Sequence, residues 1–169
     1  MNKLLIEQEE ACKDPSDAYF FAATTNGADI EKCQEAACKY SRSAYWFARD
    51  IKGADIEYCQ EAACKDPWTS FRFAQDIPSA NIEYCENAAC KDIETAYYFA
   101  FFIKNANIKK CQEVACKDPF YAYYFAMNVE DSDLEICQKA ACKNSYWAEK
   151  FAKNIVGADL KKCKIYSIL

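Results

Sequence analysis

The chain is predicted to fold as an all-α protein, a right-handed αα-solenoid of about six helical hairpins preceded by a lone helix. Twelve cysteines stand in two interleaved ladders, Cys12, Cys38, Cys64, Cys90, Cys116, Cys142 and Cys33, Cys59, Cys85, Cys111, Cys137, Cys163, each advancing by 26 residues. A fixed step in this range marks stacked units that bury their apolar faces only against their neighbours. Aligned units read close to D-P-x-x-A-Y-x-F-A-x-x-I-x-G-A-D-I-E-x-C-Q-E-A-A-C-K, which holds two apolar runs at helical spacing, each behind a capping residue. The hydrophobic fraction of 52% and aromatic fraction of 15% supply a core and exclude a disordered chain.

The elements follow in order. Residues 3–13 form the lone helix, since Leu4, Glu7, Ala11 and Cys12 align with Ile30, Cys33, Ala37 and Cys38 of the next unit. Glu7 replaces a ladder cysteine there, a polar substitution suited to an end cap. Hairpins then occupy 14–39, 40–65, 66–91, 92–117, 118–143 and 144–169, so one repeat domain spans 1–169. The first helix of a hairpin, helix A, opens at Asp14-Pro15, Asp66-Pro67 or Asp118-Pro119, and at Asn144-Ser145 without proline. The carboxylate accepts from first-turn amides, and proline gives up a donor that has no partner in any case. Gly27, Gly53 and Gly157 share one repeat position between the helices, where a left-handed residue ends helix A. Asp29, Asp55, Asn81, Asn107, Asp133 and Asp159 then cap the second helix, helix B. At the far end Ile168 takes the place of a ladder cysteine and makes that cap more apolar.

Within helix A, Ala44, Phe47, Ala48 and Ile51 fall at i, i+3, i+4 and i+7 and form a core stripe, as do Ala96, Phe99, Ala100 and Ile103. In helix B the stripe is Ile56, Cys59 and Ala63, widened by Ala62 and Cys64. Glu57, Glu61 and Lys65 occupy the solvated side, with Glu61 and Lys65 spaced for an i, i+4 pair.

These units resemble the short αα-hairpin solenoids, the class of tetratricopeptide and Sel1-like repeats, with a unit shortened to 26 residues. Segments such as AYWFARDIKGADIEYCQEAACKDP are closest to the tandem A-Y-x-F-A-x-x-I-x-G-A-D-I repeats of bacterial and viral proteins without an assigned activity. The resemblance spans the chain and implies a binding scaffold, with no catalytic residue, ligand or cofactor. High cysteine content and the missing Trp-Leu-Gly-Tyr pattern of tetratricopeptide units are departures from the class.

On a helical wheel the cysteines of C-x4-C lie about 140 degrees apart, aiming one at the preceding unit and one at the following. Three uses fit such residues. They serve as small buried thiols between stacked helices. Alternatively, Cys12-Cys33, Cys38-Cys59, Cys64-Cys85, Cys90-Cys111, Cys116-Cys137 and Cys142-Cys163 pair as six disulfides. Against that, partners sit five positions apart in axial register, roughly 7 Å of rise, unless successive helices are staggered. The third use is thiolate binding of Cu(I) or Zn, which C-x4-C on one helix serves poorly because its sulfurs diverge. A thiol or metal buffer, or a disulfide-stapled secreted repeat protein, is accordingly the alternative function.

The outward positions of helix A vary from unit to unit: Arg42, Trp46, Arg49; Trp68, Arg72, Gln75; Glu94, Tyr98, Phe101; Phe120, Tyr124, Met127. Aromatic residues, Met and Arg are the types enriched at protein interfaces, and this face carries all three arginines. Arg42, Trp46, Arg49, Trp68, Arg72, Tyr98, Phe101, Phe120, Tyr124 and Met127 are therefore the candidate partner-binding residues. The same rings could instead pack against a neighbouring helix or serve self-association. A protein or peptide partner with acidic groups for Arg42, Arg49 and Arg72 is the expectation.

A net charge of -5 and a pI near 4.9 give phosphate backbones little to hold, which disfavours nucleic acid. No apolar run reaches membrane-span length, and residues 1–11 lack the apolar core of a signal peptide, so a cytoplasmic location is expected. There is no histidine, no G-x-S-x-G and no Gly-rich phosphate loop. The expected role is non-enzymatic: an inhibitor, adaptor or scaffold, without cofactor or metal.

Overall fold

The computed structural model describes residues 3–159 and 161–162. Among them it is all-α, with twelve helices and no strand, and helical hairpins follow one another along the chain. The A helices are α2 (Pro15–Thr24), α4 (Ser41–Asp50), α6 (Pro67–Asp76), α8 (Ile93–Phe102), α10 (Pro119–Asn128) and α12 (Ser145–Asn154). The B helices are α1 (Lys3–Ala11), α3 (Ile30–Ala37), α5 (Ile56–Ala63), α7 (Ile82–Ala89), α9 (Ile108–Ala115) and α11 (Leu134–Ala141). Two compact units divide the chain, Met1–Ala88 and Ala89–Leu169. In the first, α2 pairs with α3 and α4 with α5, while α2, α4 and α6 stack in succession. In the second, α8 pairs with α9 and α10 with α11, and α8, α10 and α12 stack.

Helices of eight to ten residues are too short to persist alone in water, so caps and burial hold them. Asp14, Asp66 and Asp118 cap their A helices as the sequence predicts, and Asp92 and Asn144 do the same. Tyr40 stands at the equivalent place without a side-chain cap. Asp29, Asp55, Asn107 and Asp133 each accept an amide hydrogen bond at the start of a B helix, as Asn81 does from the Tyr84 amide. The turn between the helices is left-handed at Gly27, Gly53, Gly157, Asn105 and Asp131. At Gly53 a Cβ would meet nothing within 4 Å, so the φ of +89° alone selects glycine there.

The core stripe lies where the wheel puts it. Phe47, Phe73, Phe99, Phe125 and Phe151 are fully buried, with Ala44, Ala48, Ile51, Ala96, Ala100 and Ile103 around them in their own units. On helix B, Cys59, Ala62, Ala63 and Cys64 are buried and Ile56 is only half-buried, at the edge of the stripe, while Glu57, Glu61 and Lys65 are exposed. Glu61 and Lys65 do not pair, because α5 ends at Ala63 and leaves Lys65 off the helical register. Glu7 is solvent-facing, with half of its side chain exposed. Cys163, Ile168 and the Cys142-Cys163 pair lie outside the described residues.

Two polar ladders run at the repeat step. Gln8 Nε2 donates to the Asp29 carbonyl at 3.2 Å while its Oε1 accepts from the Asp29 amide at 3.0 Å. Gln34 does the same to Asp55, Gln60 to Asn81, Gln112 to Asp133 and Gln138 to Asp159. Each buried carboxamide thus satisfies both backbone groups of the residue that caps the next B helix. Glu86 holds this repeat position in place of glutamine and is likewise buried. On the A side, Tyr19 donates to Asp50 at 2.7 Å and Tyr45 to Asp76, while Asn128 and Asn154 donate to Tyr97 and Tyr123 at 2.8 and 2.9 Å. The equivalent positions 71 and 102 are both phenylalanine.

Candidate functional site

Helix A turns its variable positions outward because Ala, Phe, Ala and Ile of the same helix are taken by the core. The ten candidate residues fall into two groups of different chemistry, one in each compact unit.

In Met1–Ala88, Arg42, Tyr45, Trp46, Arg49, Trp68 and Arg72 line a shallow groove of about 290 Å³. Trp68 is 47% exposed; Trp46 is half-buried, leaning on Tyr19 at 5.7 Å between ring centres. The arginines depart from expectation. Arg49 Nε and Nη2 donate to the Asp50 carboxylate at 2.8 Å each, its Nη1 donates to Tyr45 Oη at 3.1 Å, and its guanidinium lies over the Tyr45 ring. Arg72 pairs with Asp76 at 3.1 Å and donates to Gln75. Arg49 holds Asp50 below the usual carboxylate range, chiefly through these hydrogen bonds, against the opposing effect of burial. Of the three cations only Arg42 makes no ion pair among the described residues, so an acidic partner finds one open charge rather than three.

In Ala89–Leu169 the face is aromatic. Phe101 (44% exposed), Phe120 (39%) and Met127 (55%) face solvent, whereas Tyr98 and Tyr124 are half-buried. Phe101 meets Phe102 edge-on at 4.6 Å and lies parallel to Tyr97 at 6.0 Å; Tyr98 stacks on Phe102 at 6.1 Å. Phe120 touches Tyr124 at 4.7 Å and Trp147 at 5.2 Å, and Tyr124 meets Trp147 at 6.0 Å. Tyr121 sits at the base of this strip, its phenol pushed up to about 12 by burial and then by the adjacent Glu94 carboxylate.

Trp147 and Phe102 were not among the sequence-predicted residues, nor were Phe20 and Tyr146, both 56% exposed. Phe20 belongs to the column of Trp46, Arg72, Tyr98 and Tyr124, and Tyr146 to that of Trp68 and Phe120, so extending the alignment to the first and last hairpins finds them. Larger grooves lie elsewhere. About 500 Å³ and 420 Å³ open between successive B helices, one over Glu31, Glu35 and Asp55, the other over Glu57, Glu61 and Asn81, each floored by a ladder glutamine. Their linings carry carboxylates and no Lys or Arg among the described residues.

The cysteines meet across successive B helices. Sγ atoms of Cys38 and Cys59 lie 3.7 Å apart, and those of Cys64 and Cys85, Cys90 and Cys111, and Cys116 and Cys137 lie 3.6 Å apart. Cys12 adjoins Cys33 and directs its thiol to the Lys32 carbonyl at 3.8 Å. The B helices are therefore staggered enough to offset the five-residue difference in register. All eleven described cysteines are thiols. Burial, then the neighbouring Cys12, pushes the Cys33 thiol up to about 12. In the next pair the hydrogen bond between thiols lowers Cys38 and raises Cys59. No group of three or more His, Cys, Asp or Glu among the described residues could hold a metal ion.

No protein-family model, curated protein or solved structure matches the chain.

Proposed function

We propose that this chain is a non-enzymatic protein-binding repeat module, an inhibitor, adaptor or scaffold that works in the cytoplasm through the outward face of its A helices. One observation carries the reading. Trp68, Phe101, Phe120 and Met127 stand on helices whose inner face already buries a phenylalanine completely, yet remain exposed. Exposed aromatic rings cost solubility unless something uses them, and large rings on short rigid helices lose little entropy when covered. With Arg49 and Arg72 neutralised within the chain, the fitting partner is an apolar or aromatic peptide segment, with at most a carboxylate for Arg42. No helix of the described residues is long and apolar enough to cross a membrane.

The test is a triple variant, Trp68→Ser, Phe101→Ser, Phe120→Ser. Selection of a displayed random-peptide library on the parent chain is expected to enrich apolar and aromatic sequences that the variant does not retain, while helicity and melting temperature stay close to parental. Equal retention by both proteins, or no enrichment by the parent, refutes the reading, and a collapse in stability assigns the rings to the core. Light scattering that shows a dimer of the parent but not of the variant would make a second copy of the chain the occupant.

A further inference from the structure

We propose that the paired cysteines form a column of dithiol–disulfide sites, which oxidation closes into covalent staples between successive B helices. The pairing is geometric. Each interior B helix carries one sulfur for the helix before it and one for the helix after it: on α5, Cys59 meets Cys38 of α3, and Cys64 meets Cys85 of α7. The Sγ separations of 3.6 to 3.7 Å exceed a bonded distance of about 2.0 Å by an amount that side-chain rotation and a small helix shift supply. Three pairs lie within Met1–Ala88 and two within Ala89–Leu169.

The product suits the site. A disulfide is neutral and apolar, so it fits between buried alanines, whereas Cu(I) held by two thiolates would bury one net negative charge at every step. Structural zinc requires four ligands, and the column offers two at each level.

Closure is a two-electron exchange with a low-molecular-weight disulfide, RSSR. A cysteine thiolate attacks one sulfur of RSSR, forming a mixed disulfide and expelling RS⁻. The second cysteine then attacks the protein sulfur of that mixed disulfide and expels the second RS⁻. Both electrons pass to RSSR, and the two cysteine protons end on two RSH. Cys12 and Cys90 are the half-buried cysteines, so the first attack falls there, with Cys33 and Cys111 resolving. Fully buried pairs react when their hairpin opens locally. In reducing surroundings the column stays open, and an oxidising supply closes it.

The experiment is incubation of the reduced full chain with oxidised glutathione, followed by acid quench, alkylation, intact-mass measurement and peptide mapping. The expected links are Cys12-Cys33, Cys38-Cys59, Cys64-Cys85, Cys90-Cys111 and Cys116-Cys137, with the Cys12 and Cys90 pairs closing first. Helicity is expected to be kept and the melting temperature to rise by about 10 °C or more, reversibly with dithiothreitol. A Cys38→Ala variant should lose one link and keep the other four. Scrambled pairing, oxidation that lowers helicity, or thiols that all remain alkylatable at temperatures where the hairpins open would overturn the proposal.

Discussion

Replacing Gln34 with methionine tests whether the carboxamide ladder holds the hairpins in register. Gln34 is 6% exposed, and its side chain closes a two-bond ring on Asp55, donating at 3.1 Å and accepting at 2.9 Å. Methionine has nearly the same length and volume, so little cavity is left and the loss is polar. The Asp55 amide and carbonyl both lose their partner, and each costs about 1–3 kcal/mol if water cannot reach it. Their half-buried setting admits some water, which brings the sum to about 2–3 kcal/mol. Part of it is lost capping, since Asp55 also accepts from the Tyr58 amide at 3.1 Å and starts α5. With a urea slope of about 1–3 kcal/mol/M, the midpoint should fall by about 1 M. Far-UV circular dichroism in urea measures it, with Glu35→Gln as the exposed control on the same helix, expected within about 0.5 kcal/mol of the parent. Repeat arrays can unfold in steps, so the earliest transition is the one to compare. A Gln34→Met midpoint indistinguishable from that of Glu35→Gln would refute the role assigned to the ladder.

Phe73→Ala empties a fully buried site and is expected to cost about 3–5 kcal/mol, read from the same urea curves; a loss below about 1 kcal/mol would mean that the stripe is not a core. Asp50 has a folded-state pKa below its unfolded value of about 3.9, because Arg49 and Tyr19 hydrogen-bond its carboxylate. Its contribution is therefore complete above that value and drains away as pH falls through the lower folded value. Asp50→Asn should flatten the fall of melting temperature below about pH 4, and an unchanged acid limb would discount the pair.

The step of the fold, its caps and its core were legible because they depend on local rules. Ala44, Phe47, Ala48 and Ile51 share a face by spacing alone, and Asp14 caps α2 because its side chain reaches its own first turn. Gln34 and Gln60 escaped notice because a helical wheel treats any glutamine beside Glu35 or Glu61 as solvated. What buries them is the neighbouring hairpin, whose capping residue presents an amide and a carbonyl that only a carboxamide can satisfy together. A polar residue repeated at the same 26-residue step as the cysteines was the available signal. The pairing of the arginines escapes the wheel for a related reason. Spacing alone turns Arg49 and Arg72 outward as open charges, whereas Asp50 and Asp76, recruited to the tyrosine ladder, lie within reach and neutralise them. The sulfur contacts depended on a stagger between helices that no single-helix projection contains.

The ladders also account for how the outer face can vary. Within each compact unit, the step from one hairpin to the next is fixed twice, by a glutamine reaching 21 residues ahead on the B side and a tyrosine meeting a partner 31 residues ahead on the A side. Both act through repeated positions, so the step between hairpins does not depend on the outward columns of helix A. Substitution there changes chemistry without changing spacing, which lets one grammar support arginine and tryptophan in Met1–Ala88 and tyrosine, phenylalanine and methionine in Ala89–Leu169. If the outer residues were packing elements, exchanging Arg72 for the tyrosine found at position 98 would disturb the neighbouring hairpins. On the present reading Arg72→Tyr leaves the fold intact and alters only what the face can hold.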